Sequence, residues 1–194
     1  MSKPFNITVL ISGGGSNLQA IIDAIDAGQL EHVHLLKVIA DRPAGGLERA
    51  EKQGIPNELI ARKVWRQQLS EKVVAAIPPE TDLVVLAGYL SIVGTAILNQ
   101  FKVINIHPAL LPKYGGKGMY GINVHRAVIE NKEVESGCTV HYVDAGVDTG
   151  EIIAQAKVNV DPSDTPEMLQ QRVLIEEHRL LPKVLALLAT SISL

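Results

Sequence analysis

The chain lacks the features of several protein classes. Its single cysteine, Cys138, has no partner for an internal disulfide, which fits a cytoplasmic protein. Aromatic residues make up only 4% of the chain, few for a protein that stacks single-stranded bases. The formal net charge of −3 does not indicate nucleic acid or an anionic membrane as a partner. Apolar runs reach about six residues, far below the roughly 20 of a membrane span, and no signal-peptide pattern precedes the first strand.

The composition that is present is that of a globular protein. Apolar residues make up 46% and charged residues 20% of the 194 residues, and this length predicts a single domain over residues 1–194. β-rich runs alternate with helical patterns as far as residue 131. This alternation predicts an α/β fold with a doubly wound, mostly parallel sheet and helices on both faces. Little sequence separates the last two strands, and we expect them to be antiparallel.

Hydrophobic periodicity places the elements along the chain. Strands are predicted at Ile7–Ile11, Leu35–Ala40, Asn57–Ile60, Asp82–Ala87, Lys102–Asn105, Cys138–Val143 and Glu151–Val160. Helices are predicted at Asn17–Ala27, Leu47–Gln53, Val64–Ile77, Gly94–Gln100, Ile122–Glu130 and Pro166–Leu188. Pro182 predicts a kink or break in the last helix. Four glycines in Lys113–Gly121 predict a mobile loop.

A glycine-rich segment joins the first strand to the first helix. Gly13, Gly14 and Gly15 allow the backbone to approach a ligand, and the positive end of the following helix favours an anion. Ser16 or Asn17 would then cap the helix or bond a phosphate oxygen. The alternative is a tight turn with no ligand. Because the segment fits neither the dinucleotide fingerprint nor the Walker A loop, we expect a single terminal phosphate.

Asn105 and His107 end an apolar run and lie two residues apart, so their side chains point the same way on an extended segment. The turn from Asp144 to Gly150 follows about forty residues later and supplies a carboxylate from Asp144 or Asp148. An amide, an imidazole and a carboxylate at strand ends can bind an oxyanion, move a proton and orient the imidazole. Those are the requirements of acyl or formyl transfer. A structural histidine and a simple turn are the alternatives.

The remaining histidines carry weaker signals. No Cys/His cluster has zinc spacing, so we expect no metal, and no G-x-S-x-G nucleophile motif is present. His141 is predicted to lie in the core or to form a wall of the site. The others are predicted to be solvated near a loop (His32 and His34), to lie on a helix without a metal-ligand partner (His125), or to follow two glutamates on the last helix (His178).

Several longer motifs together resemble one known family. They are VLISGGGSNLQAII at 9–22, GLERA at 46–50, DLVVLAGYL at 82–90, INIHPALLPKY at 104–114 and GCTVHYVDAGVDTGEIIAQAKV at 137–158, with Glu177 and His178 later. The chain resembles the phosphoribosylglycinamide formyltransferases, folate-dependent enzymes of purine synthesis, within the formyltransferase superfamily. The resemblance implies the doubly wound fold and transfer of the formyl group of 10-formyltetrahydrofolate to the amine of 5-phosphoribosylglycinamide.

The resemblance also implies residue roles. Asn105, His107 and Asp148 would be catalytic, which selects Asp148 over Asp144. The ribotide would contact Gly13, Gly14, Gly15, Ser16 and Asn17 through its phosphate and Glu177 through its glycinamide end. The folate would contact Asn105 and two further segments: Leu90, Ser91, Ile92 and Val93, then Asp144, Ala145, Gly146, Val147 and Asp148. The implied partners are these small molecules alone, with no nucleic acid, no membrane and a monomer or homodimer as the assembly.

Two departures from the family pattern limit the transfer of roles. Ser91 stands where the family often has an arginine, and the loop Gly115–Gly121 differs from the common stretch. Alternative functions are a formyltetrahydrofolate hydrolase, another formyltransferase of the superfamily, or a non-enzymatic nucleotide-binding module. The hydrolases and the transfer-RNA enzymes carry extra domains before or after this core, and we expect none here. A binding module would have no need of Asn105, His107 and Asp148.

Overall fold

A computed structural model describes residues 3–191 of the chain. Within these residues, seven strands form one sheet in the order β3-β2-β1-β4-β5-β6-β7. The strands are β1 (Phe5–Ile11), β2 (Val33–Ala40), β3 (Asn57–Leu59), β4 (Leu83–Leu86), β5 (Val103–His107), β6 (Glu135–Tyr142) and β7 (Ile152–Asn159). β1 to β5 pair in parallel, whereas β6 is antiparallel to both β5 and β7. The predicted fold class is confirmed, including the antiparallel last strands.

Helices cover both faces of the sheet. The described residues form α1 (Ser16–Asp26), α2 (Gly45–Lys52), α3 (Arg62–Trp65), α4 (Leu69–Ala76), α5 (Thr95–Leu98), α6 (Ile122–Glu130) and α7 (Pro166–Ser191). None of them is long and apolar enough to cross a membrane. A 3-10 turn, Arg66–Gln68, joins α3 to α4.

The central strands are apolar on both sides because each side meets a layer of helices. Alternate residues of β1 belong to different cores: Val9 and Ile11 pack with α1 and α7, whereas Leu10 packs with α4 and α5. β4 is buried at all four of its residues. These two cores fix the sheet between its helix layers, and its strand ends therefore form a rigid platform.

The prediction of a single helix over Val64–Ile77 was wrong. The chain leaves the helix at Arg66, which has a φ of 46°, and resumes it at Leu69. Val64 and Trp65 are exposed, whereas Leu69 and Val73 are buried in the core. None of the four residues of α3 is buried, so core packing does not hold them in one helix with α4.

Of the kink or break predicted at Pro182, the break was wrong, because α7 is one helix from Pro166 to Ser191. An interior proline removes one backbone hydrogen bond and costs a helix about 3 kcal/mol. Leu181, Val184 and Leu185 lie beside Pro182 and are almost fully buried in the core shared with α1. Burying three such side chains stabilises by roughly 1.5–3 kcal/mol each, which outweighs the defect.

The fifth strand is longer than the predicted Lys102–Asn105. It continues to His107 because β6 pairs with it at Ile106 and His107. Val103, Asn105 and His107 share one face of the strand, and Val103 belongs to the core under α4 and α5. The two polar side chains therefore emerge on that face towards the end of the strand, where the helix-covered core has ended.

Candidate active site

The antiparallel register of β5 and β6 places two polar pairs opposite each other. Asn105 faces His141, and His107 faces Thr139. Asn105 Nδ2 donates to His141 Nε2 at 3.2 Å, while His141 Nδ1 donates to the carbonyl of Tyr142 at 2.8 Å. His141 is 1% exposed. It is thus a wall of the site, one of the two positions that the sequence left open for it.

Asp148 lies between the two imidazoles. Its Oδ2 is 3.5 Å from His107 Nδ1, and its Oδ1 is 3.6 Å from His141 Nε2. The backbone N–H of Gly116 donates to Oδ2 at 3.0 Å. Asp148 has a φ of 57°, a left-handed conformation that aspartate tolerates better than most residues. Asn105, His141, Asp148 and His107 therefore form one polar group, in which Asn105 is hydrogen bonded to His141 and both imidazoles lie within 3.6 Å of the Asp148 carboxylate.

Charge in this group is set by burial and by the neighbours. Burial raises the pKa of Asp148, but His141, His107 and the N–H of Gly116 outweigh it, so its pKa lies below the ordinary value. Burial lowers the pKa of His107, which is 4% exposed, and this effect exceeds the opposing effects of Asp148 and the Tyr114 carbonyl. The carboxylate is therefore charged at neutral pH and the ligand-free imidazole is neutral. Asp148 raises the pKa of His107, but by less than burial lowers it.

Asp144 has a different position. Its Oδ1 accepts hydrogen bonds from the Gly146 N–H at 2.9 Å and from the Thr149 hydroxyl at 2.6 Å, and these bonds lower its pKa. The residue is exposed and closes the turn that carries Asp148. The turn thus holds Asp148 in position. Val147, the residue before Asp148, is 46% exposed.

The glycine-rich segment leaves the start of α1 open. Gly15 has a φ of 73° and precedes Ser16, and no side chain caps the helix, so neither Ser16 nor Asn17 takes the capping role. A Cβ on Gly15 would lie 2.7 Å from Gly46 Cα, and Arg49 Nε donates to the Gly14 carbonyl at 2.7 Å. The segment is therefore packed tightly against α2 while the first N–H groups of α1 keep no side-chain partner. That arrangement favours an anion.

Asn17 reaches a carboxylate instead of a phosphate position. Its Nδ2 donates to Glu177 Oε2 at 2.6 Å, and both residues are 7% exposed. Burial raises the pKa of Glu177 to about 7, although the bond from Asn17 lowers it. Asn17 Oδ1 is buried without a hydrogen-bond partner. The pair thus offers one unused acceptor and one carboxyl group that titrates near neutrality.

The segment Leu90–Val93 follows β4 and is tied to the glycine segment. Leu90 N–H donates to Ser12 Oγ at 2.8 Å. Ser91, the departure from the family pattern, donates its hydroxyl to the fully buried Asp41, which Arg42 also binds through two hydrogen bonds of 2.8 and 2.9 Å. Leu90 and Ile92 are 46% and 83% exposed. The segment is therefore fixed through its backbone and Ser91 while it presents apolar side chains to solvent.

Two features of the site were not found from the sequence. One is the backbone of Tyr114–Gly116, where the Tyr114 carbonyl contacts His107 and the Gly116 N–H contacts Asp148. The other is His125, which is 1% exposed, with an unpartnered Nδ1 and a pKa lowered by burial to about 4.

His32 and His34 are exposed, as predicted. In the described part of the chain, no group of three or more His, Cys, Asp or Glu side chains is arranged to hold a metal. A cavity of about 770 Å³ lies between α1 and α7, outside the group around Asp148.

Comparison with known proteins gives one consistent result. The family described as formyl transferase matches residues 5–185. The phosphoribosylglycinamide formyltransferase of Escherichia coli is 37% identical over 93% of this chain and 85% of its own length. The trifunctional purine biosynthetic protein adenosine-3 of Drosophila pseudoobscura is 44% identical over 95% of this chain, which spans 14% of that protein. The crystal structure of glycinamide ribonucleotide transformylase 1 from Symbiobacterium toebii matches with a TM-score of 0.88, 39% identity and coverage of 97% and 89% of the two chains.

Proposed function

The chain belongs to the formyl transferase family, and on that basis we propose that it transfers the formyl group of 10-formyltetrahydrofolate to the amine of 5-phosphoribosylglycinamide, a step of purine synthesis. The observation that carries this proposal is the position of Asp148 beside His107 Nδ1, with Asn105 hydrogen bonded to His141 next to the same carboxylate. We propose Asn105, His107 and Asp148 as the catalytic residues.

The amine of the ribotide needs acceptors and the oxyanion needs donors. Attack of the neutral amine on the formyl carbon forms a C–N bond and places negative charge on the formyl oxygen. A protonated His107 donates to that oxygen from Nδ1, and Asn105 donates with the N–H that His141 does not use. Asp148 stabilises the imidazolium by its charge, and the oxyanion that forms adds a second negative charge beside the ring, so the reacting complex favours the proton that the ligand-free ring lacks.

The second half of the reaction releases the folate. The bond from the formyl carbon to the folate nitrogen breaks, and the proton lost by the attacking amine reaches that nitrogen through a water molecule. Glu177 and Asn17 Oδ1 are the acceptors that fit the amine of the substrate, because one is a carboxyl group and the other an unsatisfied buried oxygen. The backbone of Gly13–Asn17 is the proposed phosphate site.

The folate is assigned to two further segments. Leu90–Val93 and Asp144–Asp148 would contact the pterin ring largely through backbone groups, with Asn105 near the formyl group. The exposed side chains of Leu90, Ile92 and Val147 supply the apolar surface that a flat ring covers. We further propose that one catalytic domain accounts for this reaction, that it needs no metal, and that the chain acts in the cytoplasm.

The direct test is an assay of the purified chain with both substrates. We expect formylated ribotide and deformylated folate in equal amounts, and no formate. Omission of the ribotide measures hydrolysis of the folate by water, the reaction of the alternative hydrolase. Formate release at the same rate with and without ribotide would contradict the proposal, as would binding of both substrates without turnover.

A further inference from the structure

His107 has a second contact on the side of the ring away from Asp148. Its Nε2 lies 2.8 Å from the backbone carbonyl oxygen of Tyr114. A carbonyl oxygen only accepts hydrogen bonds, so Nε2 carries a proton and donates it. Because this hydrogen bond keeps the proton on Nε2, the charge of the ring depends on whether Nδ1 is protonated. Nδ1, the nitrogen that faces Asp148, is therefore the one that gains or loses a proton.

The backbone of Tyr114 has a conformation that needs support. Its φ of 56° is left-handed, which bulky residues rarely adopt. Two contacts of the side chain hold it. The ring packs against the cluster around Val128 and Val173, and the hydroxyl donates to Glu133 Oε1 at 3.0 Å. Lys113 Nζ donates to the same carboxylate oxygen at 2.9 Å.

The residues after Tyr114 contact the carboxylate of the site. Gly116 N–H donates to Asp148 Oδ2, and a Cβ on Gly115 would lie 3.2 Å from Asp148 Cβ. One short backbone segment thus supplies an acceptor to His107 and a donor to Asp148. Any shift of Tyr114 would move both contacts together.

We propose that Tyr114 is a positioning residue for formyl transfer, which holds His107 through its backbone carbonyl and is itself held by the bond from its hydroxyl to Glu133. The effect of Tyr114 on turnover rests on the proposed function. The effect of Tyr114 on the protonation of His107 does not depend on any substrate. The two effects therefore have separate tests.

The kinetic test uses Tyr114→Phe, which keeps the ring in its cluster, and Glu133→Gln, which keeps the size of the side chain. We expect each to lower kcat by about 3–10-fold, the usual effect of one lost hydrogen bond, with the KM of both substrates changed less than twofold. The alkaline limb of the kcat pH profile, where His107 loses its proton, should shift in the same variants. The double variant should be no slower than the slower single variant, because both changes break the same contact.

The control is Glu135→Gln. Glu135 forms a similar pair with a lysine, Lys157, at 3.1 Å, but it lies at the exposed start of β6. Its replacement should leave kcat and the pH profile unchanged. A Tyr114→Phe enzyme with the kcat and pH profile of the original chain would overturn the inference. So would an equal loss of activity in Glu135→Gln, since that would reflect surface charge.

The second measurement is nitrogen NMR of the His107 ring in the ligand-free protein. We expect the neutral ring to be protonated at Nε2, and Tyr114→Phe to populate the form protonated at Nδ1. A wild-type ring protonated at Nδ1 would contradict the inference. If the chain transfers no formyl group, the proposed function fails, and the NMR result still decides whether Tyr114 positions His107.

Discussion

Asn17 and Glu177 lie 160 residues apart in the sequence, yet their side chains are joined by a hydrogen bond of 2.6 Å between Asn17 Nδ2 and Glu177 Oε2. The bond connects the first turn of α1 with the middle of α7. It brings the end of the glycine-rich segment and a buried carboxyl group together.

The raised pKa of Glu177 predicts a pH-dependent stability. Between pH 4.5 and about 7, the folded protein keeps a proton that the unfolded chain has released, so the free energy of unfolding falls as pH rises. Glu177→Gln removes this dependence. We expect the variant to equal the original chain near pH 4 and to exceed its free energy of unfolding at pH 8 by roughly 3 kcal/mol. Denaturant titrations at the two pH values measure this. An equal difference in the free energy of unfolding between the two proteins at both pH values would contradict this prediction.

The same variant tests the amine site. Glu177→Gln keeps an acceptor for Asn17 but loses the charge, so the KM for the ribotide should rise while the KM for the folate stays unchanged. Steady-state kinetics with each substrate varied in turn distinguishes the two. An unchanged ribotide KM would assign Glu177 a structural role only.

Asp148 offers a comparison between two substitutions. Asp148→Asn keeps a residue that tolerates a φ of 57°, whereas Asp148→Ala adds strain of about 1 kcal/mol. Both lose the charge beside His107, and we expect both to lower kcat by at least about 100-fold. His107→Ala should do the same. Of the two Asp148 variants, only Asp148→Ala should also lower the melting temperature measurably. Near-normal turnover by purified His107→Ala or Asp148→Asn would remove these residues from the mechanism.

The glycine-rich segment supplies its own matched pair. Gly15→Ala meets both a φ of 73° and the Cα of Gly46 at 2.7 Å, while Gly14→Ala meets nothing within 4 Å. We expect Gly15→Ala to lower the free energy of unfolding by about 1–3 kcal/mol and Gly14→Ala by less than about 1 kcal/mol. Chemical denaturation of both variants measures the difference. Equal stabilities would show that the segment relaxes away from α2.

Ser91 predicts an effect on the folate alone. Ser91→Ala removes a donor from the buried Asp41, whose pKa is raised by burial but held below its ordinary value by Arg42, Ser91 and Ser12. Loss of that bond should loosen Leu90–Val93 and raise the KM for formyl folate several-fold, with kcat little changed. The bond to Ser91 also stabilises the folded protein above pH 3.8, because it favours the charged form of Asp41. Ser91→Ala should therefore lower the free energy of unfolding by about 1 kcal/mol above pH 3.8, and this difference should be lost at lower pH.

The control for Ser91 is Ser163→Ala, which removes a similar bond to an exposed aspartate, Asp161. That variant should leave the folate KM unchanged. A Ser91→Ala enzyme with the original folate KM would place the folate away from this segment.

The sequence predicts the sheet well because alternating strands and helices constrain a parallel sheet. It predicts the α3–α4 break poorly, because the exposure of Val64 and Trp65 depends on what packs against them and not on their apolar character. The role of His141 depends on its register opposite Asn105, which is fixed only when β6 pairs with β5. The carbonyl of Tyr114 has no sequence signature at all, since every residue carries one.

The register between β5 and β6 also determines where this protein tolerates changes in length. Successive residues of a strand face opposite sides, so one inserted residue between Thr139 and His141 would turn the imidazole away from Asn105 and Asp148. The contacts of the neighbouring loop to His107 and Asp148 end at Gly116. Insertions and deletions among distant relatives should therefore accumulate between Lys117 and Gly121 and be absent from the second half of β6.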